Sequence, residues 1–186
     1  AAVFSGQINI GANASTKAVV NINAGSSAVG AVDIATTNAT AVTINLAQGS
    51  SLTGAVTDTG NATLLTVNAT GDATIGTGSN AIDVGGTTNK NAVVTDGKTL
   101  TLAGTGAVGL TAITLGTANT AAATLKITGA KTVTGTINSD GGANLGIVDV
   151  DANTTLASAL GGTNELAKID IANGVTLTTS AAVAAT

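Results

Sequence analysis

The chain has 186 residues, ten acids against six lysines for a net charge of −4, and 44% apolar residues with one aromatic, Phe4. It contains no His, Cys, Arg, Pro, Met, Trp or Tyr, which removes the commonest general base and nitrogen metal ligand, all thiol chemistry, and the bidentate phosphate clamp. Thinly spread charge without a basic cluster argues against nucleic acid, no apolar run has the length of a membrane-spanning helix, and one domain over 1–186 is the expectation for this length.

Without aromatic anchors, a core has to come from thin layers of Val, Ile, Leu and Ala stacked on their own kind, which repeated rungs provide. Disorder calls for low hydrophobicity and high net charge, whereas only 9% of residues are charged and mean hydropathy is +0.45. The chain opens Ala1-Ala2-Val3 without Met, so a processed product or an excised fragment is expected, and the small residues fit the far side of a signal-peptidase cut.

An apolar–Asn/Asp–apolar triplet returns every twelve residues from the N-terminus: Ile8-Asn9-Ile10, Val20-Asn21-Ile22, Val32-Asp33-Ile34 and Ile44-Asn45-Leu46. Residues i and i+2 of a strand share a face, so each triplet sets two aliphatic side chains on one side and a polar group on the other. A fixed period of this kind means strands stacked on strands. The larger unit is 23 or 24 residues: Gly25-Ser26-Ser27-Ala28-Val29-Gly30-Ala31-Val32 returns at Gly49 to Val56, and Asn38 to Asn45 returns at Asn61 to Asn68. Further triplets follow at Leu65-Thr66-Val67, Ile82-Asp83-Val84, Leu100-Thr101-Leu102, Ile113-Thr114-Leu115 and Leu125-Lys126-Ile127. A faint copy of a later unit begins at Gly85-Gly86-Thr87-Thr88-Asn89. Near the C-terminus Gly141-Gly142-Ala143-Asn144-Leu145, then Val148-Asp149-Val150, returns as Gly161-Gly162-Thr163-Asn164-Glu165-Leu166, then Ile169-Asp170-Ile171, and Val175-Thr176-Leu177 closes the series. Thr154 to Leu166 has a weak helical flavour but reads as loop plus strand.

The central polar residue of each triplet is expected to face out. An inward asparagine ladder would satisfy its own amides, but the position also holds Asp33, Asp83, Asp149, Asp170 and Lys126, and a buried unpaired charge is very costly. Ile8, Ile10, Val20, Ile22, Val32, Ile34, Ile44 and Leu46 are therefore expected to be buried, and Asn9, Asn21, Asp33 and Asn45 exposed.

The expected fold is all-β, a parallel β-solenoid of 20–24-residue repeats, about eight coils forming a rod core on the order of 40 Å long. An antiparallel β-sandwich or meander is the alternative. Asp96-Gly97 and Asn173-Gly174 carry the hairpin-turn signal that supports it, while repeat-to-repeat identity is easier to explain when equivalent residues stack.

No catalytic, cofactor-binding or metal-binding residue is assigned, and no enzymatic activity or organic cofactor is expected. Asp149 and Asp151 share a strand face and Asp140 can approach from a turn, and paired acids serve polysaccharide cleavage or calcium binding. Solvated surface carboxylates are the preferred reading. Gly76-Thr77-Gly78-Ser79-Asn80-Ala81-Ile82 faintly matches the glycine-rich calcium nonapeptide but lacks its leading Gly and its tandem repetition. The N-x-[ST] triplets at Asn13, Asn38, Asn61, Asn68 and Asn153 are what the Asn, Ser and Thr content gives by composition alone. Phe4 is expected to plug the end of the stack.

Val133-Thr134-Gly135-Thr136-Ile137-Asn138 with Gly141 to Val150, and Leu160 to Leu177 with its Gly-Gly-Thr-Asn-Glu-Leu-Ala-Lys-Ile-Asp-Ile-Ala-Asn-Gly run, resemble repeats of the rickettsial surface-antigen autotransporters related to outer-membrane protein B. The likeness covers about a third of the chain well and the rest in composition. It implies an exported, surface-exposed passenger with adhesive or surface-layer roles. No counterpart of that family's C-terminal membrane barrel is expected within residues 1–186.

The expected function is a non-enzymatic extracellular structural or adhesive module of a bacterial cell surface. The alternative is a self-assembling subunit of an extracellular filament or surface lattice, because an uncapped repeat stack presents unpaired strand edges. A carbohydrate-active or phage-fibre β-helix is a third reading. The expected partners are further copies, through strand edges or stack ends, and a host or neighbouring cell surface.

Overall fold

The computed structural model describes residues 2–11, 17–35, 41–58, 64–76, 82–83, 89–141 and 144–186. Among these no helix occurs, and every strand pairing is parallel. The first coil carries β1 (Val3–Phe4), β2 (Ile8–Ile10) and β3 (Lys17–Ile22); the second carries β4 (Ser27–Ala28), β5 (Val32–Ile34) and β6 (Ala41–Leu46). The third and fourth repeat the pattern as β7 (Ser50–Leu52), β8 (Val56–Asp58) and β9 (Leu64–Ala69), then β10 (Ala73–Ile75), β11 (Ile82–Asp83) and β12 (Asn89–Val94). From there β13 (Thr99–Leu102) leads into β14 (Val108–Leu115), and β15 (Thr124–Ile127) into β16 (Lys131–Ser139). The last elements are β17 (Ile147–Val150), β18 (Thr154–Leu156), β19 (Lys168–Ile171) and β20 (Leu177–Thr179).

These strands build a parallel β-solenoid with three faces. The first face is an eight-stranded sheet, β1-β4-β7-β10-β13-β15-β17-β19. The second and third faces form one twelve-stranded sheet because β14 belongs to both. Its start pairs with β11 on the second face, and its end pairs with β12 on the third. The bend lies between Gly109 and Ala112, where β14 holds one residue more than β16, a bulge that turns the strand without breaking it. A bridge from Ile137 to Leu160, and one from Leu160 to Val183, carry the third face to the C-terminal end.

The antiparallel alternative does not occur. The Asp96-Gly97 and Asn173-Gly174 signals are genuine turns, with φ of +68° and +77° at the glycines, but each joins strands lying on different faces. A solenoid corner demands the same left-handed residue as a hairpin, so the dipeptide does not report strand direction.

The twelve-residue triplet period alternates between two faces. Ile8 pairs with Val32 on the second face and Val20 with Ile44 on the third, a true stacking step of 24. Inward residues therefore form columns that belong to one continuous core. Ile34, Ile44, Leu46, Leu52, Leu125 and Ile127 are fully buried, each contributing about 1.5–3 kcal/mol by removal from water. Ile10, Ile22 and Val32 are buried as expected. Ile8 and Val20 are only half-buried, because the first coil has no described coil beneath it. The C-terminal triplet is also displaced: Val175 lies in the turn, donating its N–H to the Ala172 carbonyl, and the strand begins at Leu177.

Close stacking has a backbone requirement at the corner after the first face. Gly30 sits on Gly6 and Gly54 on Gly30, so near that a Cβ on either would fall 1.9 Å from the glycine carbonyl oxygen below. The repeated Gly-Ser-Ser-x-x-Gly phrase is thus the left-handed turn at Gly25 or Gly49 followed by the tight corner at Gly30 or Gly54. Val84, the Gly85–Thr88 copy and Gly142-Ala143 lie outside the described residues.

Candidate functional site

Among the described residues the polar residue of the triplets does face out, and the first rows it forms are bonded along the rod axis. Asn45 donates its amide to Asn21 at 2.8 Å, and Asn68 donates to Asn45 at 3.1 Å. The asparagine ladder thus exists, on the outside. Asn9 and Asn21 are exposed, whereas Asn45 and Asp33 are half-buried between the rungs above and below. Thr57 Oγ1 donates to Asp33 at 3.3 Å, Ser51 Oγ to Ser27 Oγ at 2.7 Å, and Gln48 Nε2 to Asp72 at 3.0 Å. This last bond, with the Thr99 N–H, lowers the Asp72 pKa. Much of the described outer polar surface is therefore satisfied by its neighbours one coil away. The side chains of Asp58 and Asp83 lie outside the described residues.

Asp140, Asp149 and Asp151 do not converge. Asp149 and Asp151 are brought together, and what joins them is Lys126 on the preceding rung, whose Nζ lies 2.6 Å from Asp149 and 2.5 Å from Asp151. Both carboxylates raise the Lys126 pKa, Asp149 foremost. Asp140 follows β16 at another corner and accepts from the Gly141 N–H at 3.1 Å. Among the described residues no three His, Cys, Asp or Glu side chains are grouped closely enough to hold a metal ion. One outward row holds Lys126, Asp149 and Asp170 on successive strands. Lys168, 2.6 Å from Asp170, offsets the second acid.

Two charged groups were not singled out by the sequence. Asp96 reaches up to the next coil and accepts from the N–H groups of Thr120 at 2.9 Å and Thr117 at 2.7 Å, and from Thr120 Oγ1 at 2.7 Å. These bonds, the Thr120 N–H first, hold its carboxyl far below the usual range. Lys131 faces inward on β16 and is 8% exposed. Its Nζ donates to the Ala103 carbonyl at 2.8 Å, and burial lowers its pKa to about 8. The signal was available: Lys131 is two residues before Val133, hence on the core side of the strand. Of the sequons, Asn13, Asn38 and Asn61 lie outside the described residues, as do Thr77 to Ala81 of the glycine-rich motif.

The remaining feature is the N-terminal surface of the stack. Val3, Phe4, Ile8, Val20, Ile22 and Ala28 line a hollow of about 370 Å³ there. Phe4 occupies the inward column of the first face, above Gly6, and is 50% exposed. It partly fills that end.

No family model, curated protein or solved structure matches the chain. No helix among the described residues is long and apolar enough to cross a membrane.

Proposed function

We propose that the chain is a non-enzymatic structural module of a bacterial cell surface, exported and displayed as a rod in a surface layer or passenger domain. The observation that carries this reading is the long-axis satisfaction of the outer rows: Asn bonds Asn, Ser bonds Ser and Lys bonds two Asp across coils. Such a surface spends its polar groups on its own continuity, while the aliphatic columns set a fixed axial spacing. The resemblance of Val133 to Val150 and Leu160 to Leu177 to rickettsial autotransporter repeats supports placement outside the cell. Adhesion to a host or neighbouring cell is the role that such placement allows.

A second reading, a subunit that assembles with its own copies into a filament or lattice, is favoured by the lack of Pro and the scarcity of charge, the usual means of blocking strand edges. Protease treatment of intact native cells tests the main reading. Loss of the chain with retention of a cytoplasmic marker is expected. Protection until lysis, or turnover of a polysaccharide that Asp149→Asn abolishes, would overturn it.

A further inference from the structure

Two Asp-Gly pairs lie at the same corner of the solenoid, between the third and first faces, and they are held in opposite ways. Asp96-Gly97 follows β12, and Asp140-Gly141 follows β16 two coils later. The Asp96 carboxylate turns to the next coil, where the N–H groups of Thr117, Ala118 and Thr120 and the Thr120 Oγ1 hydroxyl occupy both its oxygens. The Asp140 carboxylate turns back on its own main chain, and its Oδ1 accepts from the Gly141 N–H at 3.1 Å. Neighbouring coils fix the main chain on either side of it. The Asn119 amide donates to the Gly141 carbonyl, and the Asn164 amide donates to the Ser139 carbonyl at 3.2 Å. Gly141 is exposed and Asp140 half-buried, so water reaches the pair.

We propose that Asp140 is a site of spontaneous main-chain rearrangement, in which the Gly141 nitrogen closes on the Asp140 side chain to a succinimide that water reopens as isoaspartate. The nitrogen already lies 3.1 Å from the carboxyl oxygen, inside the range of about 3–3.5 Å for reacting atoms held in a near-attack arrangement. Glycine leaves that nitrogen without a side chain to shield it. In the first step a bond forms between the Gly141 nitrogen and Asp140 Cγ, and the amide proton leaves with the carboxyl OH as water. In the second step water adds to the former main-chain carbonyl and breaks its bond to nitrogen, so the chain runs on through Cγ. Opening at the other carbonyl restores aspartate. No oxidant, reductant or co-reactant is consumed. Asp96 is kept out of the same reaction. Its oxygens are engaged, and those bonds hold its carboxyl ionised by keeping its pKa far below the usual range, so it has no OH to lose. The product lengthens the main chain by one carbon at a corner that Asn119 and Asn164 tie to the coils on either side.

Prolonged warm incubation of the folded chain, followed by cleavage at lysine, tests this, because Asp140 falls in the peptide 132–168 and Asp96 in the peptide 91–98. Isoaspartate gives a second form of unchanged mass that a protease cutting before aspartate no longer cuts. That form should accumulate at residue 140 at least about tenfold faster than at residue 96, whereas in urea the two Asp-Gly pairs should rearrange alike. Gly141→Ala should slow the change at residue 140 at least about tenfold with the circular dichroism unaltered. Gly141 lies outside the left-handed region, and a Cβ there meets nothing nearer than Asn164 Nδ2 at 3.6 Å. Asp140→Asn should close to the same succinimide with ammonia as the leaving group. Equal rates at residues 96 and 140 in the folded chain, a change at residue 140 no faster than at Asp149 or Asp151, or no effect of Gly141→Ala would each overturn the proposal.

Discussion

Replacing Gly54 with alanine tests how tightly the coils are held. The new Cβ would lie 1.9 Å from the Gly30 carbonyl oxygen and 2.3 Å from its carbon, where ordinary contact begins near 3.4 Å. Both neighbours are backbone, so no side-chain rotation relieves the clash, and the corner has to open by about 1.5 Å. Flanking bonds then stretch, among them Val32 N–H to Ala55 O and Thr53 N–H to Ala28 O, each 2.8 Å. They would pass about 4 Å and be lost, at about 1 kcal/mol apiece. Loosened packing beneath the fully buried Leu52 and Val56 adds about 1–2 kcal/mol, for a total of about 3–4 kcal/mol. Gly25→Ala is the control. Its φ is +66° with nothing within 4 Å of a Cβ, so it loses only the conformational term of about 1–2 kcal/mol. Urea unfolding followed by far-ultraviolet circular dichroism measures both. Equal costs for the two variants would refute the close corner stacking.

Three further outcomes are expected. Asn45→Ala removes both bonds of the ladder at its middle rung and should cost about 1 kcal/mol in the same assay, about twice the cost of Asn21→Ala. Lys131 has a folded pKa of about 8 against an ordinary 10.5, so the unfolded chain binds the extra proton between those values and stability should rise with pH across that window. Lys131→Met should abolish the rise and stabilise the protein near pH 7, read from urea midpoints across pH. Asp96 gives a slope of the same sign in the acid range: its lowered pKa contributes stability that is present above the ordinary carboxylate pKa and is lost as pH falls below about 4, so Asp96→Asn should flatten part of the acid limb of the stability profile.

The register was legible because Ile44-Asn45-Leu46 and its relatives alternate strictly, and a slip of one residue would have buried Asp33. The parallel direction was favoured by repeat identity, since Gly25 to Val32 and Gly49 to Val56 match only if equivalent residues stack. That successive triplets lie on different faces was not legible, because a corner shows in sequence as the same Gly, Asn and Ser that make a hairpin. Long-range chemistry was hidden for a related reason. Lys126 lies 23 residues from Asp149 and Asp96 lies 24 from Thr120, so these partners emerge only after the coil length is fixed locally. The coil length varies, as the extra residue in β14 shows. Lys131 carries one local signal, since its parity with Val133 puts it on the inward side of the strand.

A crystal structure of the purified chain tests the account most directly, because a parallel solenoid stacks equivalent residues one coil apart. The prediction is Asn21, Asn45 and Asn68 in one outward row, bonded amide to amide at the strand spacing of about 4.8 Å. Antiparallel pairing, or a fold that turns this row into the core, would contradict it.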